Sequence, residues 1–159
     1  MTHQFEKEVT INASPDIIWN TLTNPELMKK WMGEPEMEIE VETNWQVNSP
    51  IVISGFHHLK FQNRGKVLQY KINNLVQYSH LSSLSGLEDK PENYSVITFW
   101  LIPGENETTL SCTINNFPTE TIFKHLQFYW RTTIISIKNM AEKDWKSGNM
   151  PEQIRNQRW

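Results

Sequence analysis

The sequence predicts an α+β fold: a curved antiparallel sheet of about seven strands wrapped around one long C-terminal helix, with two short helices after the first strand. Three observations carry this expectation. The chain opens with a strand-like alternation that runs into two proline-started, capped helical segments. Period-two stretches separated by turn residues then fill the middle of the chain, and from Thr119 the apolar spacing changes to steps of three and four.

In the first element Phe5, Lys7, Val9 and Ile11 alternate with Gln4, Glu6, Glu8 and Thr10, giving one mostly apolar face. Ser14 is placed to cap a helix with Pro15 at its first position and Asp16 in its first turn; Asn24, Pro25 and Glu26 repeat that grammar, so two helices meet in a V. Met37, Ile39 and Val41 interleave with Glu36, Glu38 and Glu40, and with Glu42 these glutamates are expected to share one solvated strand face. After the turn-rich segment Asn44 to Pro50, the run Ile51-Val52-Ile53 completes a hairpin. Residues 65–72 and 75–81 form a second hairpin about Asn73-Asn74, two residues that tolerate left-handed turns. The stretch Ser82 to Asn93 is poor in apolar residues and reads as a mobile loop before a strong strand over 94–102. That strand is apolar on both faces, so Trp100 and its neighbours need cover from the N-terminal strand, the tail or a second subunit. A turn at Pro103-Gly104-Glu105-Asn106 leads to the last strand, 108–115.

From Thr119 to about Trp145, Ile122, Leu126, Tyr129, Trp130, Ile134 and Ile137 mark the face of a long amphipathic helix. Its start carries Glu120 and its end Lys138, Lys143 and Lys146, matching the helix dipole. One domain over 1–146 with a polar tail over 147–159 is the expected organisation, because 159 residues suit a single core and no repeat is present.

The net charge of -3, spread without a basic block, argues against nucleic acid or an anionic membrane as partner. Cys112 has no disulfide partner within the chain. The first residues lack a signal-peptide pattern and no window approaches a membrane span, so a reduced, cytoplasmic, soluble protein is expected.

The run Ala13-Ser14-Pro15 followed by Trp19, then Leu22-Thr23-Asn24-Pro25-Glu26-Leu27 and Trp31, is joined by Gly55, Gly65-Lys66-Val67 and Thr108-Thr109-Leu110. In this order the chain resembles the START-like (SRPBCC) superfamily, and within it the branch of homologues of the activator of the heat-shock-protein-90 ATPase. The resemblance covers roughly residues 5 to 145. It implies a helix-grip fold with an internal pocket between the sheet and the C-terminal helix. The chain departs from the family at Asn44-Trp45-Gln46-Val47-Asn48, where glycines are usual, and at Asn73-Asn74, where prolines are.

Seven Trp, seven Phe and four Tyr supply the candidate lining. Trp31, Trp45, Phe56, Tyr78, Phe99, Phe117, Tyr129 and Trp130, with Ile134, are expected to contact a ligand, although the same rings could instead fill the space. Trp19 reads as a packing anchor. The function this supports is non-covalent binding of a small hydrophobic or aromatic molecule. The alternatives are a polyketide-cyclase-like or hydrolase-like enzyme using the same cavity, and a chaperone-interacting regulatory domain.

No catalytic motif accompanies these residues: there is no nucleophile elbow, and Asp16, Asp89 and Asp144 each have a structural explanation. Proton transfer by His57, His80 or Tyr78 would need only one well-placed group. No metal or cofactor is expected, since His57 and His58, as strand neighbours, would point to opposite faces, and no ligand-spaced Cys or His cluster exists.

Overall fold

Two successive proline starts shape the amino-terminal third. In the computed structural model, which describes residues 3–148, strand β1 (Gln4–Ile11) leads into helices α1 (Pro15–Thr23) and α2 (Pro25–Met32). Ser14 Oγ accepts the Ile17 N–H at 3.4 Å and Asn24 Oδ1 accepts the Glu26 N–H at 3.0 Å, which satisfies one orphan donor at each helix start. Asn24 closes α1 and opens α2 with extended backbone (φ -77°, ψ 115°), and that single residue sets the V.

The remaining strands are β2 (Glu40–Glu42), β3 (Pro50–His57), β4 (Leu59–Lys71), β5 (Leu75–Ser82), β6 (Ser95–Pro103) and β7 (Thr108–Asn115), followed by helix α3 (Glu120–Ser147). They form one seven-stranded antiparallel sheet in the order β1-β7-β6-β5-β4-β3-β2. β1 lies on β7 with Gln4 opposite Asn115 and Ile11 opposite Thr108, so the first strand is completed by the last. Gly148 caps α3 in the left-handed region (φ 77°). The tail expected over 147–159 lies, apart from Ser147 and Gly148, outside the described residues.

Two expectations about local structure are corrected. The acidic strand is short: Pro35–Met37 is a 3-10 turn and Glu38 is left-handed (φ 48°), so only Glu40 and Glu42 share a strand face. His57 ends β3 and His58 turns the hairpin with φ 64°, so the two rings meet edge to face, 4.6 Å apart and exposed, instead of pointing to opposite faces. The loop read over Ser82 to Asn93 holds a 3-10 turn at Pro91–Asn93 and is bonded to distant parts of the chain. Asp89 accepts from Tyr94 Oη at 2.6 Å and pairs with Arg64 at 3.5 Å, while Asn116 Nδ2 donates to the carbonyls of Glu92 and Tyr94.

The core occupies the concave side of the sheet. Ile51, Val67, Ile97, Leu110 and Ile114 bury there against Trp130, Ile134 and Ile137 of α3, each contributing about 1.5–3 kcal/mol by leaving water. The helix packs mainly on β1, α1 and α2. Lys138 Nζ donates to the Thr10 carbonyl at 2.6 Å, Glu142 accepts the Asn12 N–H at 2.9 Å, and Tyr129 Oη donates to the Met32 carbonyl at 2.7 Å. α3 is thus fastened to the β1 side, and the β3–β5 side of the sheet carries less helical cover.

A bulge interrupts the β4–β5 ladder. The register shifts between Val67 and Gln69, and just before it, at the unpaired positions between Arg64 and Val67, the Lys66 N–H donates to Ser79 Oγ at 2.9 Å. Gly65 is required here, because a Cβ at that position would overlap the Ser79 carbonyl.

Candidate functional site

Strand alternation decides which side chains face the helix. On β5, Val76 and Tyr78 are buried on the concave face and His80 follows them in phase, half-buried. On β3, Ile51 and Ile53 face inward; their partners on β4 carry Asn63 opposite Ile53 and Phe61 opposite Gly55 onto the same side. Phe61 and Asn63 are half-buried despite facing inward, because α3 does not reach over them. Phe56 has the opposite phase. It lies on the outer face with 49% of its surface exposed and does not join the aromatic set expected to line a pocket.

The other expected lining residues do converge, and they fill the middle of the fold. Trp130 meets Trp31 at 6.0 Å and Phe99 at 5.5 Å between ring centroids, and stands perpendicular to Tyr129 at 5.2 Å. Trp31 Nε1 donates to the Thr21 carbonyl at 2.8 Å, which anchors its ring by both face and edge. Phe117 is buried against Phe123 at 4.9 Å, and Ile134 is fully buried. Trp45, left-handed at φ 58°, donates Nε1 to the Thr23 carbonyl at 2.7 Å and stacks on Tyr70 at 5.5 Å with its edge toward Tyr78 at 6.3 Å. Trp19 is a packing anchor, buried and donating to Tyr70 Oη at 3.3 Å.

Between the amino-terminal half of α3 and strands β4 and β5 lies the margin with the least helical cover. Tyr78, His80 and Asn63 face it from the sheet; His125, exposed on α3, acts electrostatically on His80. Burial lowers the His80 pKa to about 4, with His125 adding to the effect. Burial also raises the Tyr78 hydroxyl far above its usual value, lifts the Cys112 thiol, and pushes Tyr129 up to about 12. At neutral pH these four groups are therefore uncharged. Two surface concavities lie elsewhere: one beside Asn139, Glu142 and Lys146 at the end of α3, the other between α1 and the β4–β5 hairpin at Asp16, Tyr70 and Asn73. Among the described residues no three His, Cys, Asp or Glu side chains gather as metal ligands, and no helix is long and apolar enough to cross a membrane.

Phe61, Asn63 and His125 were not singled out for this margin by sequence reasoning. The first two could have been found by extending the Gly65–Ile72 strand backward, since period two places them in phase with Val67.

A seven-stranded antiparallel sheet gripping a long terminal helix, with two short helices after the first strand, defines a START-like helix-grip domain. The chain belongs to the family described as Activator of Hsp90 ATPase homolog 1-like protein, whose model matches residues 12–142. It is similar to a protein of Cytophaga hutchinsonii solved in solution, with 31% identity over 89% of this chain and 95% of that one, and a TM-score of 0.73. The solution structure of the Aha1 dimer from Colwellia psychrerythraea is similar at 24% identity, covering 88% and 96% of the two chains with a TM-score of 0.69. A crystal structure from Chromobacterium violaceum shares the fold at 15% identity, 87% and 97% coverage and a TM-score of 0.74. No curated protein matches the chain.

Proposed function

We propose that the protein binds a small hydrophobic or aromatic molecule between the sheet and the amino-terminal half of α3, as one domain acting in the cytoplasm. The observation that carries this reading is the state of Tyr78 and His80. Both face the concave side of β5, and neither side chain has a protein hydrogen bond among the described residues, so their polar atoms, which keep contact with solvent, are free to meet a ligand. A ligand group that replaces their water contributes about 0.5–1.5 kcal/mol per hydrogen bond made. An uncharged lining flanked by Phe61, Tyr129 and the edge of Trp45 suits an apolar ring carrying one hydrogen-bonding group. Burying roughly 250 Å² of apolar surface at about 25 cal/mol per Å² supplies about 6 kcal/mol before ordering costs.

The test is native mass spectrometry of gently purified protein, then thermal shift against fatty acids, 2-naphthol and polyketide-like aromatics. A retained or stabilising compound whose effect shrinks in Tyr78→Phe and His80→Ala is the expected result. Folded wild-type protein with a clean apo mass and no shift across the panel would remove the reading.

His80 favours one alternative at the same site. A neutral imidazole on the concave face can accept a proton from a bound molecule, so turnover is read as a changed mass of the retained compound. The chaperone-partner reading draws on a different feature: Phe128 and Ile135, two turns apart on α3, are 78% and 39% exposed. Co-precipitation with an Hsp90-type chaperone, lost in Phe128→Ser, would favour it.

A further inference from the structure

The outer face of the sheet carries a pattern that the ligand site does not use. Antiparallel register places Lys71, Leu75, Trp100, Ser111 and Glu8 side by side across β4, β5, β6, β7 and β1, all projecting away from α3. The centre of this row is apolar. Trp100 is 37% exposed, is the register partner of the buried Leu75, and is continued along β6 by Ile102, 50% exposed. The two ends are charged and opposite, Lys71 two strands to one side and Glu8 two strands to the other, both exposed. The next row is polar, with the neutral Gln69 on β4 and Glu6 on β1 flanking Gln77, Thr98 and Thr113, so no like-charge pair opposes the contact there.

We propose that two copies of this chain pack outer face to outer face about a two-fold axis running along β6, with Trp100 on Trp100 and Lys71 of each copy against Glu8 of the other. A two-fold axis lying in the interface and parallel to the strands maps β4 onto β1, β5 onto β7 and β6 onto itself. It therefore superposes the basic end of one row on the acidic end of the other and brings the apolar centres together. The face is self-complementary in charge, which is what an isologous contact requires. Five strands about 4.8 Å apart and roughly eight residues of about 3.3 Å give a footprint of about 600 Å², in which Leu75, Thr98, Ser111 and Thr113 are buried and Trp100, Ile102, Lys71 and Glu8 present the exposed surface. The other edge of the sheet ends on β2, with Glu40 and Glu42 and no matching arrangement of charges about a tryptophan.

The test is sedimentation equilibrium of the full chain over a broad concentration range, with far-UV spectra confirming that each variant is folded. Wild type should dimerise. Lys71→Glu and Glu8→Lys each create two like-charge contacts per dimer and should weaken association at least about tenfold, while the Lys71→Glu/Glu8→Lys double variant should return to within about threefold of wild type. Trp100→Ser should leave a folded monomer. A wild type that stays monomeric at the highest concentration overturns the proposal, as do single reversals without effect or a double variant that fails to recover. A truncation after Gly148 should still dimerise; loss of the dimer there would assign the outer face to residues 149–159 instead and equally overturn it.

Discussion

Replacing Trp130 with alanine separates a filled interior from an open one. Trp130 keeps 4% of its surface and meets Trp31, Phe99 and Tyr129, all within 6.0 Å between ring centroids. Removing a ring that buries roughly 200 Å² forfeits up to about 5 kcal/mol of transfer free energy, and large-to-small aromatic substitutions in close-packed cores cost about 3–5 kcal/mol. For a chain of this length, about 4 kcal/mol corresponds to a drop in Tm of roughly 8–16 °C. Urea unfolding followed by far-UV circular dichroism measures the loss without depending on the deleted fluorophore. The cavity left behind is lined by Trp31, Phe99 and Ile134, so indole added to the variant should recover part of the stability. A loss below about 1 kcal/mol with no response to indole would show that Trp130 borders open space and would refute the packing described above.

Four further outcomes follow from other positions. Gly65→Ala should lower stability by about 3 kcal/mol, read by urea unfolding, because its Cβ would meet the Ser79 carbonyl. Trp45→Phe deletes the 2.7 Å bond to the Thr23 carbonyl while keeping most of the ring, and should cost about 1–2 kcal/mol. Glu142 is held below its ordinary value of 4.5 first by the Asn12 N–H and then by Lys138. Its contribution is complete above the unfolded value and is lost as pH falls through the folded one, so Glu142→Gln should destabilise at pH 7, with the difference from wild type shrinking as the pH is lowered through the acid range. His80 has the same sign for a base: the unfolded chain takes up its proton near pH 6.5 and the folded chain only near about 4, so stability declines across that window. In His80→Gln that part of the slope should vanish from a Tm-versus-pH series.

Most of the fold was legible because its signals are local. The Ser14 and Asn24 caps, the Asn73-Asn74 turn with Asn73 at φ 64°, and the switch to helical spacing near Thr119 each depend on a few adjacent residues. The short β2 was not legible, because Glu36 and Glu38 alternate like a strand while Pro35 and the left-handed Glu38 impose a turn that the pattern hides. Phe56 was misplaced for another reason. Its aromatic character suggested a lining role, whereas its phase relative to Ile51 and Ile53 already assigned it to the outer face. The bonds of the loop over 82–93 to Arg64 and Asn116, 25 and 24 positions away from Asp89 and Glu92, are long-range contacts that no window of sequence contains. For the site, the sequence named the rings but not their packing. The lighter helical cover beside Tyr78 and His80 follows from where α3 is fastened, through Lys138 to Thr10 and Glu142 to Asn12, which only the assembled fold reveals.

The most direct test of the proposed ligand site is an NMR titration of wild-type protein with 2-naphthol, following the imidazole and tyrosine ring signals. Saturable shifts at His80, Tyr78 and His125, with His57 and His58 unmoved at the exposed β3–β4 turn, are the expected result. Shifts spread evenly over all the histidines, or confined to exposed rings while Tyr78 and His80 stay fixed, would contradict a binding site on the concave face of β5.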